Sequence, residues 1–140
     1  MAADDADLYL SQLGERVAPL GRRLHEHLVN EGCKCYVKTI YVGYEVDGLM
    51  VAALYGRADH VELALALAEN DPSPSLKDAS HLTWRTLPVA LDVRTNDDVA
   101  VARHLVEQAC ERIRAGIHDV QRDNEHFIRS RRERLRGPKG

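Results

Sequence analysis

The sequence is poor in aromatic residues, cysteine and long apolar runs. Aromatic residues make up only 5% of its 140 residues, so a core must be built mainly from Val, Leu, Ala and Ile. No apolar run approaches the roughly 20 residues that a helix needs to cross a bilayer. The amino-terminal residues are acidic and lack the basic-then-apolar order of a secretory signal. We therefore expect a cytoplasmic protein with no membrane partner.

The three cysteines form no disulfide framework. Cys33, Cys35 and Cys110 are an odd number at unpaired spacings, which argues against a secreted scaffold. Together with two histidines, the first two give the pattern H-x-H-x5-C-x-C, whose residue types suit zinc. On a helix, however, residues two apart point about 200° apart, so His25 and His27 do not face one metal unless that turn unwinds. We expect no metal site and no cofactor.

The charge is unevenly distributed along the chain. The net charge is -3, yet from Arg122 onward seven basic residues stand against three acidic ones. A basic run of this kind can neutralise the phosphates of a nucleic acid. It is equally typical of a solvated helix end, where cations are favoured. The nucleic-acid alternative would use five arginines, Arg129, Arg131, Arg132, Arg134 and Arg136.

Apolar spacing predicts a helix near the amino terminus. Leu and Val residues recur at three- and four-residue steps from Leu10 to Leu28, which places them on one face of a helix. Pro19 lies inside this pattern. Because its ring lacks an amide donor and clashes with the preceding turn, we expect it to kink the helix or to divide it in two.

The period then changes to two, which predicts strands. Apolar residues alternate over residues 37–46 and resume over 49–55, and Asp47-Gly48 between them is a dipeptide favoured in tight hairpin turns. Residues 61–67 combine helix-forming composition with strict alternation. We predict a strand there, because only a strand places the large residues on one side.

The remaining segments predict a loop, two short strands and a long helix. Residues 71–78 contain two prolines and two serines, which are typical of a loop. We predict short strands at residues 81–85 and 88–94. Thr95 followed by Asp98 resembles a capping box, with Asp in the usual Glu position, and would open the helix.

The order of elements predicts an α+β fold. A single antiparallel sheet of four to five strands would be covered on one face by an amino-terminal and a carboxy-terminal helix. We expect residues 1–116 to form one domain and residues 117–140 to form a helical, basic carboxy-terminal extension.

Two blocks of the sequence carry a family likeness. Residues 36–67 resemble the first three strands of a small bacterial domain of unknown function. That domain is often found behind restriction-nuclease-like domains and is sometimes labelled a predicted transport protein. Residues 76–113 are similar to its closing strand and helix, and the overall order resembles frataxin-type folds. The family usually has glycines around its tryptophan, and this chain has none there. The residues that carry the likeness are Tyr44, Lys77, Asp78, Trp84 and Arg94.

The resemblance implies an α+β fold of the frataxin type, but the family has no settled activity. The sequence itself contains no recognisable catalytic motif. Trp84, flanked by His81 and Arg85, is either a binding anchor with a polar rim or a lid on the core. With Tyr44, these residues are the candidate ligand or partner site.

We therefore expect a non-catalytic binding or protein-interaction module. Its contact surface would be the region around Trp84 or the sheet face without helices. Ala64, Ala66 and Ala68 on that face would allow a homodimer. The alternative is a nucleic-acid-associated accessory domain that uses the basic tail.

Overall fold

The computed structural model describes residues 2–82 and 86–117 of the chain. Within these residues the chain forms three helices and six strands. In chain order they are α1 (Ala2–Ser11), α2 (Val17–Asn30), β1 (Lys34–Val37), β2 (Val42–Val46), β3 (Leu49–Gly56), β4 (Val61–Leu65), β5 (Lys77–Asp78), β6 (Val89–Val93) and α3 (Asn96–Arg114).

The strands form one sheet in the order β1-β2-β3-β4-β6-β5, and every neighbouring pair is antiparallel. The predicted α+β class with a single antiparallel sheet is confirmed, although the sheet has six strands instead of four to five. The predicted hairpin is β2–β3. Asp47 and Gly48 have φ of 54° and 79° at its tip, the positive values that such a tight turn requires. The strand predicted over residues 61–67 is β4.

Two strands differ from the sequence prediction. Residues 37–46 are not one strand, because the chain turns between β1 and β2, where the amide of Lys38 donates to the carbonyl of Tyr41. The predicted loop over residues 71–78 ends in β5, a two-residue strand that pairs with the edge of β6. His81 and Leu82 lie in a turn and not in the predicted strand over residues 81–85, whose other residues lie outside the described part of the chain.

The amino-terminal helical pattern is divided, but not at Pro19. The break falls between α1 and α2, around Gly14, and Pro19 is the third residue of α2. A proline is tolerated in the first turn of a helix, because the amides there have no partner within the helix. Gly14 accepts the first hydrogen bonds of the new helix from Val17 and Ala18.

Helices α2 and α3 cover one side of the sheet, which we call the first face. The strand register places Tyr44, Ala52 and Leu65 on this face. Helix α2 contacts the first face through His25, whose Nδ1 lies 2.8 Å from the hydroxyl of Tyr44. Helix α3 packs beside α2 and against β2, β3, β4 and β6. A core of Leu, Val and Ala side chains fills the space between the helices and the sheet.

The opposite side of the sheet, the second face, carries a different set of residues. In one row across it, small residues follow each other from strand to strand: Gly43, Ala53, Ala64 and Ala90. In the next row, Tyr55, Glu62 and Asp92 lie side by side on β3, β4 and β6. The second face is therefore where the sheet places charge.

Helix α3 begins with the predicted capping box. The hydroxyl of Thr95 accepts from the amide of Asp98, and the Asp98 carboxylate accepts from the amide of Thr95. Two otherwise unpaired backbone donors are satisfied in this way. Among the helices of the described residues, none combines the length and the apolar character needed to span a bilayer.

We expect Thr95→Ala to lower the free energy of unfolding by about 1 kcal/mol, because the cap accepts an amide that has no partner within the helix. Urea denaturation measures the loss. Thr95→Ser is the matched control, since it keeps the hydroxyl and should retain most of the stability. Equal losses in the two variants would mean that the methyl group, and not the cap, stabilises this end of α3.

Candidate functional site

The most distinctive polar residue of the second face is Glu62, near the start of β4. Its side chain is only 4% exposed, and it lies between Tyr55 and Asp92 on the neighbouring strands. An ionised carboxylate is costly to bury unless cations and hydrogen-bond donors surround it. The partners of Glu62 therefore define the site.

Three cationic or donor side chains contact the two oxygens of Glu62. Arg57 donates to Oε1 from Nε at 2.9 Å and from Nη2 at 2.6 Å. Lys77 Nζ and His81 Nε2 lie 3.0 Å and 2.6 Å from Oε2. Burial raises the pKa of Glu62, but the hydrogen bonds from Arg57, Lys77 and His81 outweigh it and lower the pKa to about 2. Glu62 is ionised at neutral pH.

Asp92 extends the network along the sheet. Lys77 Nζ lies 2.9 Å from one Asp92 oxygen, so a single ammonium bridges two carboxylates on adjacent strands. His60 Nε2 lies 3.3 Å from the same Asp92 oxygen, and Arg94 pairs with Asp59 at 3.0 Å. We refer to this set as the Glu62 cluster: Arg57, Asp59, His60, Glu62, Lys77, His81, Asp92 and Arg94.

An aromatic row leads across the second face to this cluster. The ring centroids of Tyr36 and Tyr41 are 6.4 Å apart, and those of Tyr41 and Tyr55 are 5.3 Å apart. The guanidinium of Arg57 lies over the Tyr55 ring at 5.2 Å from its centroid. Such a contact stabilises the cation and fixes its orientation. Gly43 leaves room for the row, because a Cβ atom there would lie 2.5 Å from the ring of Tyr36.

The local sequence explains how these side chains meet. The alternation of β4 sends Val61 and Leu63 to the first face and Glu62 to the second. Arg57 lies in the short β3–β4 connection, and its backbone amide donates to the carbonyl of His60. The pairing of β5 with β6 sets Lys77 opposite Ala90, one row from Glu62. Because Lys77 is distant from Glu62 in sequence, spacing alone did not reveal the cluster.

The four residues of the predicted partner site do not form one described surface. Tyr44 is buried on the first face beside His25. His81 lies on the second face, in the Glu62 cluster. Trp84 and Arg85 lie outside the described residues, and so do the five arginines of the nucleic-acid alternative, from Arg129 to Arg136. Those binding roles stay predictions.

The alanines expected to support a homodimer are not open in the described structure. Ala64 is 1% exposed and Ala66 is 9% exposed, and Ala68 is only partly buried. Self-association itself stays a prediction. Among the described residues on this side of the sheet, the longer side chains of Arg57, Lys77 and His81 around Glu62 are 38%, 43% and 49% exposed.

The H-x-H-x5-C-x-C residues are not brought together either. His25 contacts Tyr44 on the sheet, whereas His27 faces Arg103 and Glu107 of α3. This divergence is the one that helical geometry requires for residues two apart. The Sγ atom of Cys33 lies 3.9 Å from that of Cys110, and both thiols are buried.

The Glu62 cluster is suited to fixing the orientation of basic side chains at the protein surface. Both oxygens of Glu62 are occupied, and its exposed fraction is small. Arg57, Lys77 and His81 nevertheless have side chains that are 38%, 43% and 49% exposed. Arg94, at the edge of the cluster, is also 49% exposed. The buried carboxylate therefore orients the charged groups of Arg57 and Lys77 and the ring of His81, and all three side chains remain partly accessible to an anion.

Comparison of the chain with protein-family models, with curated proteins and with solved structures finds no match. The family likeness noted in the sequence therefore rests on the residues that carry it.

We expect the contribution of Glu62 to stability to depend on pH. Because its pKa falls from 4.5 to about 2 on folding, its contribution is fully present above about pH 4.5. It is lost as the pH falls towards 2 and amounts to about 3 kcal/mol. Urea denaturation of the native protein and of Glu62→Gln between pH 6 and pH 3 measures it, and the difference between the two should shrink with falling pH. Glu69→Gln, at an exposed position beyond β4, is the control. A difference that stays constant would contradict the buried ionised carboxylate.

Proposed function

We propose that this chain is a non-catalytic protein-interaction module, and that the exposed part of the Glu62 cluster contacts an acidic segment of a protein partner. One observation carries the proposal. A nearly buried carboxylate holds Arg57, Lys77 and His81 around it, while each of these side chains keeps 38% to 49% of its surface accessible.

Pre-organisation makes this surface suitable for binding. An arginine or lysine that is free in solvent loses side-chain entropy when a partner immobilises it. Here much of that loss has already occurred, because Arg57 is fixed by two hydrogen bonds and by the Tyr55 ring. Within the described part of the chain, the Nη1 of Arg57 and one hydrogen of Lys77 remain as donors beyond the contacts with Glu62 and Asp92. A partner carboxylate would complete the arrangement.

The same geometry supports a binding role over a catalytic one. A general base works best with a pKa near the operating pH. The pKa of Glu62 is about 2, and both of its oxygens already accept hydrogen bonds. The carboxylate is therefore poorly placed to take a proton from a substrate and well placed to orient its neighbours.

We expect a labelled peptide of ten glutamates to bind the full-length protein at low salt and to dissociate as salt is added, because the contact is electrostatic. Arg94→Glu should weaken binding by about fivefold, as expected for reversing one exposed charge. Fluorescence anisotropy measures both effects. Arg22→Glu is the matched control, since it reverses an arginine of similar exposure that pairs with Asp7 on the helical side.

Two further measurements distinguish the proposed acidic protein partner from nucleic acid and from a second copy of the chain. Tighter binding of a duplex DNA of equal charge would favour the nucleic-acid alternative and overturn the proposal. Sedimentation of the protein at high concentration tests self-association. A stable dimer that Arg94→Glu dissociates would identify the acidic partner as a second copy. Equal weakening by Arg22→Glu and Arg94→Glu would show that net charge alone attracts the peptide.

A further inference from the structure

A second polar group lies on the helical side of the molecule, where α2 meets α3. Glu31 is the carboxy-terminal cap of α2, four residues after His27, and its helical backbone keeps it on the same side of the helix as His27. Glu107 faces them from α3. Each of the three side chains has one atom that could bind a metal ion, and these three atoms all lie within 4.8 Å of one another.

The environment of His27 points to a missing partner. The residue is 9% exposed, and its buried Nε2 atom makes no hydrogen bond to any described residue. Yet Nε2 lies 3.3 Å from an oxygen of Glu107. The two atoms are therefore close without being aligned as donor and acceptor. A buried polar atom left in this state is rare in folded proteins.

The distance between His27 Nε2 and the Glu107 oxygen matches the distance between two atoms that bind the same metal ion. Zinc–nitrogen and zinc–oxygen bonds of about 2.0–2.2 Å at tetrahedral angles place neighbouring ligand atoms about 3.3–3.6 Å apart. The 3.3 Å between His27 Nε2 and Glu107 fits this range. Glu31 is partly exposed, so a change of rotamer can bring its carboxylate to the third position.

We propose that His27, Glu31 and Glu107 together bind one divalent transition-metal ion between α2 and α3. One imidazole and two carboxylates suit Zn²⁺ and its first-row neighbours, whereas Mg²⁺ and Ca²⁺ prefer oxygen ligands alone. Two carboxylates supply the two negative charges that neutralise the ion. The sequence led us to expect no metal site, because the pattern that drew attention paired His27 with His25 and two cysteines.

Two arginines compete with the ion. Arg103 Nε lies 3.4 Å from His27 Nδ1 and donates to it, which leaves the imidazole proton on Nε2. Arg114 contacts the carbonyl of Glu31 and lies 3.7 Å from its carboxylate. A metal on Nε2 requires the proton to sit on Nδ1, so Arg103, which is exposed, must turn away. Removal of this arginine should therefore strengthen metal binding.

The test is isothermal titration calorimetry. Zn²⁺ is titrated into the full-length native protein and into three variants, and the affinities are compared. Glu107→Gln should weaken binding by at least about tenfold, since loss of a ligand exceeds the usual effect of losing a supporting residue. Glu111→Gln, one turn further along α3 and exposed, removes the same charge and should leave binding within about twofold. Arg103→Gln should tighten it.

A spectroscopic arm identifies the ligands. Co²⁺ bound by His27, Glu31 and Glu107 gives visible d–d bands without the near-ultraviolet charge-transfer band of a thiolate ligand. Appearance of that band would place the ion on the cysteines and overturn the proposal. Absence of Zn²⁺ binding, or equal weakening by Glu107→Gln and Glu111→Gln, would overturn it too. The 47% exposure of Glu107 makes its variant a fair test, because folding does not depend on burying that side chain.

Discussion

The buried charge of Glu62 constrains the second face of the sheet more than any other single interaction. A carboxylate in that position is tolerated only with cationic donors around it, since removing one partner of a buried ion pair costs about 3–5 kcal/mol. The donors come from the β3–β4 connection, from β5 and from the turn after it. The short strand β5 therefore has two reasons to lie at the sheet edge, namely its pairing with β6 and the reach of Lys77 to Glu62 and Asp92.

The helical side obeys a different constraint, which is close packing. Gly21 lets α2 approach both Leu10 of α1 and Val61 of β4, and a Cβ atom there would lie 2.9 Å from a Leu10 methyl group. The polar residues of this side include His25, which contacts Tyr44 of the sheet, and His27, which lies between α2 and α3. Among the described residues, Glu62 and Glu107 lie on opposite sides of the sheet and share no contacting side chain, so substitutions at the two positions should add without coupling.

Much of the fold could be predicted because local chemistry determined it. Asp47-Gly48 specifies its turn, Thr95 and Asp98 specify a helix start, and the alternation in β4 outweighs its helix-forming composition. Features that depend on contacts between residues distant in the sequence could not be predicted. The strand β5 exists because β6 lies beside it, and the Glu62 cluster joins segments that no spacing rule connects. The cluster's one local signal was a glutamate among the leucines and alanines of a central strand.

The buried thiols bear on which ions could bind between α2 and α3. Cys33 follows Glu31 by two residues and has a softer ligand atom than the imidazole or the carboxylates. Its Sγ atom, however, lies 3.9 Å from that of Cys110, and both thiols are buried. The side chains of Glu31 and Glu107 are, by contrast, 28% and 47% exposed. The helical junction therefore presents nitrogen and oxygen ligands first, and the paired thiols remain part of the core.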